Sequence, residues 1–184
     1  MNIVVFHRQF IETTGPCTDT RNILLDSMFF ALKGGNFNGN EFALKAIEDG
    51  CKYAIVDENK YAIDDRFILV NDVLEALQDL ANYHRKQFNI PVIGITGSNG
   101  KTTTKELIGA VLETTYTTLY TKGNFNNHIG VPLTLLELNE SHEVAIIEMG
   151  ANKPDDIKEL AEIAEPNYGI ITNIGTAHIE GFGS

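Results

Sequence analysis

A short apolar run, Ile90-Pro91-Val92-Ile93, leads straight into Gly94-Ile95-Thr96-Gly97-Ser98-Asn99-Gly100-Lys101-Thr102-Thr103-Thr104, and Lys105 to Leu112 follow as an amphipathic stretch. This order constrains the fold more than any other feature of the chain. The apolar run is of the kind that forms an interior parallel strand. Leu107, Val111 and the pair Ile108 and Leu112 recur at helical spacing. Between strand and helix, glycines allow a turn that brings backbone N–H groups against phosphate oxygens, and the helix N-terminus adds partial positive charge. Lys101 is placed to reach the outer phosphates of a nucleoside triphosphate, and the Thr102 hydroxyl to ligate the accompanying magnesium. The expected nucleotide loop is therefore Gly97, Ser98, Asn99, Gly100, Lys101, Thr102 and Thr103. The general pattern wants glycine five residues before Gly100, where this chain has Ile95. A Gly-Lys-Thr triplet alone also fits a structural turn, so the flanking strand and helix carry the reading.

Charge narrows the partners. Lys and Arg number 14 against 25 acidic residues, for a net charge of −11. A nucleic-acid binder usually shows a basic face, so nucleic acid is excluded as an expected partner. A nucleotide would be held only by local focusing through a loop, a lysine and a metal ion. No apolar run approaches the roughly 20 residues needed to cross a bilayer. The segment Met1–Arg8 places its charge after its apolar patch, unlike a signal peptide. No membrane partner and a cytoplasmic location are expected. Cys17 and Cys51 have neither metal nor redox spacing and read as reduced thiols.

Two segments of different character meet near residue 88. The first, 1–88, mixes short strands with at least two helices. Met28 to Leu32 reads as a strand, Lys33 to Gly39 as a loop rich in turn formers, and Glu41 to Glu48 as a helix. Tyr53–Val56 and Phe67–Val70 read as strands, and Asp72–Gln87 as a helix burying Val73, Leu77, Leu80 and Ala81. Asp72 stands at its N-cap, with Glu75 at the capping-box position. The second segment, 89–184, alternates strand and helix. Strands are expected at Val92–Ile95, Thr117–Tyr120, Val144–Ile147 and Tyr168–Ile171, with helices at Lys101–Leu112, near Val131–Leu136 and at Pro154–Ala164. Such alternation builds a parallel sheet with right-handed crossovers, and ligands bind beyond the carboxyl ends of its strands. The loop at 97–102, Glu148 and the segment Thr172–His178 fall at that one edge.

Glu148 closes an apolar strand, where a charged group needs a reason such as a metal or solvent exposure. His178 follows the next strand; from position alone it reads equally as a loop histidine or as a ligand. Thr102, Glu148 and His178 could share one magnesium, and because magnesium prefers oxygen ligands, manganese is a possible substitute. His7, His84, His128 and His142 offer no such placement, and His84 reads as helix surface. Asp155 and Asp156 read as a helix first turn complementing the macrodipole, and Lys153 and Lys158 as solvated charges.

Four ordered motifs then resemble the central domain of the Mur ligases: Gly94–Glu106, Thr121–Leu136, Ile146–Ala151 and Ile171–Ser184. Thr18–Arg21, Phe29–Gly34 and Asn38–Phe42 look like that family's N-terminal uridine-nucleotide domain, with Asn38 standing where the family more often has Asp. The resemblance implies an α/β chain: a small N-terminal domain for the UDP-N-acetylmuramoyl peptide, then a truncated parallel-sheet P-loop ATPase domain. It also implies ATP-dependent amide ligation. The γ-phosphoryl group passes to the carboxylate of the nucleotide-linked peptide, an amine attacks the acyl phosphate, and phosphate leaves. The run Asn124-Phe125-Asn126-Asn127 favours the member whose substrates are UDP-N-acetylmuramoyl-tripeptide and D-alanyl-D-alanine. The alternatives are a neighbouring ligase (tripeptide-forming or folate polyglutamate) and a nucleotide-binding module without ligase activity.

By the same resemblance, Lys101 contacts the β- and γ-phosphates, and Thr102, Glu148 and His178 hold magnesium, making Lys101, Glu148 and His178 the catalytic set. Asn126 and Asn127 line the site near the transferred phosphate. Thr20, Gly35, Asn36 and Phe37 contact the uridine nucleotide, while Arg21 is structural or contacting. A monomer is the family's usual condition. The family has a longer central domain with a carbamylated lysine and then a third domain, whereas this chain stops at Ser184 inside a motif. The expectation is a fragment, inactive by itself, whose parallel sheet is incomplete at one edge.

Overall fold

A computed structural model of the chain describes residues 2–175. It separates into two compact units, Met1–Leu80 and Ala81–Ser184.

The first unit opens with helix α1 (Ile3–Ile11), started by the Asn2 side chain accepting from the Val4 N–H at 3.0 Å. Phe6 and Phe10, four apart on one face, are its buried residues. Strands β1 (Pro16–Cys17), β2 (Met28–Phe30), β5 (Tyr53–Val56) and β6 (Phe67–Leu69) form an all-parallel sheet in the order β1-β2-β5-β6. The stretch expected as a plain loop after β2 is instead a hairpin, β3 (Lys33–Gly34) against β4 (Phe37–Asn38), turning at Gly35-Asn36. A 3-10 turn (Gly39–Phe42) leads into α2 (Ala43–Glu48). Cys17, Phe29, Ala54, Val56 and Phe67 share the core with Ala43 and Ile47 of α2. Both cysteines are buried free thiols, with Cys51 Sγ 3.3 Å from Ser27 Oγ.

The division between the units falls within α3 (Val73–Arg85). Asp72 accepts from the Glu75 N–H at 2.9 Å, the N-cap bond expected for it, and Val73, Leu77, Leu80 and Ala81 are buried. His84 is not surface. It is 5% exposed, with Nε2 2.9 Å from the Leu138 carbonyl, because the last turn of the helix packs into the second unit. Arg85 donates to the Ala164 and Glu165 carbonyls at 3.0 and 3.2 Å.

The second unit is built on β7 (Val92–Thr96), β8 (Thr118–Tyr120), β9 (Val144–Glu148) and β10 (Tyr168–Ile171), all parallel in the order β10-β7-β9-β8. Strand β9 is buried at every residue, as an interior parallel strand covered on both faces requires. Helices α4 (Lys101–Leu112), α5 (Gly130–Leu135) and α6 (Asp156–Ala164) connect the strands. Helix α4 has the expected bounds but not the expected face. Leu107 and Val111 are 65% and 68% exposed, and the fully covered residues are Lys105 and Gly109. Gly109 faces Tyr120 and Ile146. Among the described residues, no helix is long and apolar enough to cross a membrane.

Candidate active site

The register places Ile95 beside Glu148 and Thr96 beside Ile171, so the loop after β7, the end of β9 and the segment after β10 meet at one sheet edge. The loop turns through Gly97 (φ 136°) and Gly100 (φ 80°), left-handed conformations suited to glycine, and Gly100 caps α4. Gly97 is needed twice over, since a Cβ there would stand 2.1 Å from Thr172 Oγ1.

The segment after β10 clasps the loop. Ser98 N–H and Asn99 N–H donate to Asn173 O and Oδ1 at 3.1 and 3.0 Å, and Thr172 Oγ1 donates to Asn99 O at 2.6 Å. Ser98 Oγ donates to Gly175 O at 2.9 Å. Lys101 Nζ folds back to donate to Gly97 O at 2.6 Å, while Thr102 and Thr103 stand exposed on the first turn of α4.

Glu148 is the centre of this edge and only 1% exposed. Its Oε1 accepts from Thr102 Oγ1 at 3.2 Å and from Asn126 Nδ2 at 2.8 Å, and its backbone N–H donates to Thr121 Oγ1 at 2.9 Å. Its Oε2 is buried and accepts no hydrogen bond from the described residues. The nearest opposite charge is Lys105 Nζ at 3.6 Å, on a side chain with no exposed surface that also donates to Thr121 O at 2.6 Å. The two side chains, of opposite sign, thus stand side by side in the interior. Sequence reasoning missed Lys105 and Thr121. Both stand at this edge because α4 and β8 pack on β9.

Expected neighbours are thus partly brought together. Thr102, Glu148 and Asn126 meet, with Lys101 on the adjoining turn. Asn127 turns away and accepts from the Ile129 and Gly130 N–H groups at 3.1 and 2.9 Å, starting α5. His178 lies outside the described residues. The donor set present fits a magnesium ion: the Thr102 hydroxyl and the single Glu148 carboxylate, one of whose oxygens is left open, all hard oxygens.

In the first unit a cavity of about 500 Å³ is lined by Asp19, Thr20, Arg21, Phe29, Phe37 and Phe42, among others. It thus includes two of the four residues expected to contact a uridine nucleotide, Thr20 and Phe37, while Gly35 and Asn36 form the adjacent hairpin turn. Arg21 grips Asp19 through Nε and Nη2 at 2.8 and 2.6 Å, holding that carboxyl down at about 2. Asn38 explains its own departure from the expected Asp: its amide donates to Glu58 at 2.8 Å, which a carboxylate cannot do.

A glycine-rich strand-to-helix turn at the carboxyl edge of an all-parallel sheet defines the class of α/β proteins with phosphate-loop architecture. Residues 95–184 match the Mur ligase middle domain. The UDP-N-acetylmuramoyl-tripeptide–D-alanyl-D-alanine ligase of Synechocystis is 46% identical over 176 residues, covering 95% of this chain and 39% of that protein. MurF from Acinetobacter baumannii superposes with a TM-score of 0.87 at 37% identity, covering 97% of this chain and 42% of that one. MurF ligase from Thermotoga maritima, solved in complex with ADP, superposes with a TM-score of 0.86 at 33% identity over 95% of this chain and 40% of that one. The chain is thus similar to Mur ligases over almost all of its length, matches their middle domain over residues 95–184, and spans about two fifths of the length of these relatives.

Proposed function

We propose that these residues are the nucleotide-handling part of an ATP-dependent ligase joining D-alanyl-D-alanine to UDP-N-acetylmuramoyl-tripeptide. The observation that carries the reading is the meeting of Thr102, Asn126 and Glu148 on the phosphate-loop edge, with one Glu148 oxygen left open. The substrates are those of the Synechocystis ligase that this chain resembles.

The first turn of α4 offers N–H donors and partial positive charge to the triphosphate, while the Ser98 and Asn99 amides are engaged by Asn173. Lys101 need only exchange the Gly97 carbonyl for a phosphate oxygen to add a full charge. Thr102 and Glu148, with His178 as the third expected ligand, hold magnesium. When bound, the ion neutralises phosphate charge during transfer. Asn126 and Lys105 keep the Glu148 carboxylate aimed at the loop. The demand on such a site is alignment of two anions that otherwise repel, which positioned cations and donors meet. In the first unit, Thr20 and Phe37 line the cavity that would take the uridine nucleotide. The division of labour is thus a nucleotide-peptide unit followed by an ATP unit.

The test is phosphate release by the protein's complete reading frame with ATP, magnesium, UDP-N-acetylmuramoyl-tripeptide and D-alanyl-D-alanine. Release that requires both acceptor substrates supports the ligase. Release indifferent to the dipeptide sinks the substrate assignment, and nucleotide binding with no release at all would identify a binding module instead.

A further inference from the structure

Away from the Glu148 edge, His128, Asp156 and Glu159 bring one imidazole nitrogen and two carboxylate oxygens within 4.8 Å of one another. His128 Nε2 lies 2.7 Å from Glu159 Oε2 and 3.6 Å from Asp156 Oδ1. Asp156 and Glu159 are three residues apart on the first turn of α6 and so share a face. His128 comes from the loop before α5, which is held in place by Asn127 and by the Gly150 N–H donating to Asn126 O at 2.7 Å.

A helix cap and an ion pair account for only part of this cluster. Asp156 Oδ2 accepts the Asn152 and Lys153 N–H groups at 2.8 and 3.0 Å, which is its capping role. These bonds hold its carboxyl below the usual range. Glu159 pairs with His128. Asp156 Oδ1 is left over. The side chain is 5% exposed, this oxygen accepts no hydrogen bond from the described residues, and it faces His128. A buried carboxylate oxygen without a donor is costly unless something else binds it. Lys153 Nζ, on a 63% exposed side chain, stands 3.8 Å away, beyond hydrogen-bond range. The positive end of α6 works against a cation here, but two carboxylates outweigh its half charge.

We propose that His128, Asp156 and Glu159 form a second cation site, for a divalent transition metal of the zinc class. A nitrogen with two carboxylate oxygens suits Zn²⁺ and Co²⁺, whereas magnesium prefers an all-oxygen shell. A bound ion ties the 124–129 loop to the start of α6. That loop also carries Asn126, which donates to Glu148.

The experiment titrates the metal-free full chain with Zn²⁺ by calorimetry and with Co²⁺ by visible absorption, in a large excess of Mg²⁺. The expected result is one equivalent of each metal bound in spite of Mg²⁺, with perturbed His128 ring signals by NMR and a raised melting temperature. Glu159→Gln, at a half-exposed position, keeps the fold and should weaken binding at least ~10-fold, as should His128→Gln. Melting curves of the metal-free variants verify that they remain folded. No uptake in excess Mg²⁺, or uptake undiminished in both variants, overturns the proposal.

Discussion

In the first unit, the buried Asn40 amide donates to Asn38 Oδ1 at 2.9 Å and to Asp57 Oδ1 at 2.8 Å, and its own oxygen accepts the Asp57 N–H at 3.0 Å. Lys33 closes the group with ion pairs to Asp57 and Glu58 at 2.8 and 3.2 Å. In the second unit, Glu148 is as deeply covered but keeps one oxygen without a donor. Asp57 directly follows β5 and Glu148 ends β9, so each group reaches the carboxyl edge of an all-parallel sheet. Among the described residues, the buried side-chain oxygens lacking a donor are Glu148 Oε2 and Asp156 Oδ1, both in the second unit. The contrast separates two uses of buried polarity. A group whose bonds are all made internally fixes a backbone, as Asn40 fixes the hairpin against Asp57. A group left open at a sheet edge keeps capacity for a cation or a phosphate.

The sharpest way to break this contrast is Lys105→Met. With Lys105 gone, Glu148 keeps a buried charge without an opposite one, and the expected loss is about 3–5 kcal/mol in urea unfolding. Adding Glu148→Gln to the same variant should restore most of that loss, since the coupling lies between the two charges. A Lys105→Met variant within ~1 kcal/mol of the parent would show that the pair contributes little and that the open oxygen has no electrostatic meaning.

Lys101→Ala tests the same edge in the opposite sense. Among the described residues, the Lys101 side chain donates to the Gly97 carbonyl alone, so unfolding should move by no more than ~0.5 kcal/mol. Phosphate release by the complete reading frame should fall about 10²–10³-fold, the loss expected when one donor to developing charge is removed. Turnover within a few-fold of the parent would refute the phosphate role of Lys101.

These two lysines also show what could be read from the residues alone. Lys101 was legible because its position in Gly-Lys-Thr, after an apolar strand, has a local geometric meaning. Glu148 was legible for a similar reason: a charge closing a wholly apolar run demands a partner. Lys105 was not. Leu107 and Val111 advertised a buried face for α4 that the fold leaves in solvent, and nothing in the local pattern singled out the lysine. His84 failed likewise, since nothing local reveals that Leu138 will lie against it. Helix α1 begins with Ile3, Val4 and Val5, β-branched residues that favour strands, and only Asn2 as cap and the Phe6/Phe10 spacing argue otherwise. The cluster at His128 joins residues 28 and 31 positions apart in sequence, which no local pattern links. Local rules found the elements; packing decided which of their polar residues met.

The smallest expected effect tests the closed group. Asn38 donates to Glu58, the leading reason the Glu58 carboxyl sits below its usual range, with Lys60 and Lys33 adding to it. A depressed carboxyl contributes stability that is complete above its unfolded value and is lost as pH falls through its folded value. Asn38→Asp removes the donor and sets a carboxylate against Glu58, so the Glu58 contribution shrinks most near neutral pH. The variant should therefore melt below the parent at about pH 7, and the gap should narrow toward about pH 3, where the carboxyls protonate and the new side chain can again donate. A gap that stays constant or widens in acid would mean that Asn38 acts through backbone geometry, through its bond to the Asn40 N–H, and not through Glu58. Either way the effect should stay below that of Lys105→Met, because this group faces solvent on the Lys33 side while Glu148 and Lys105 do not.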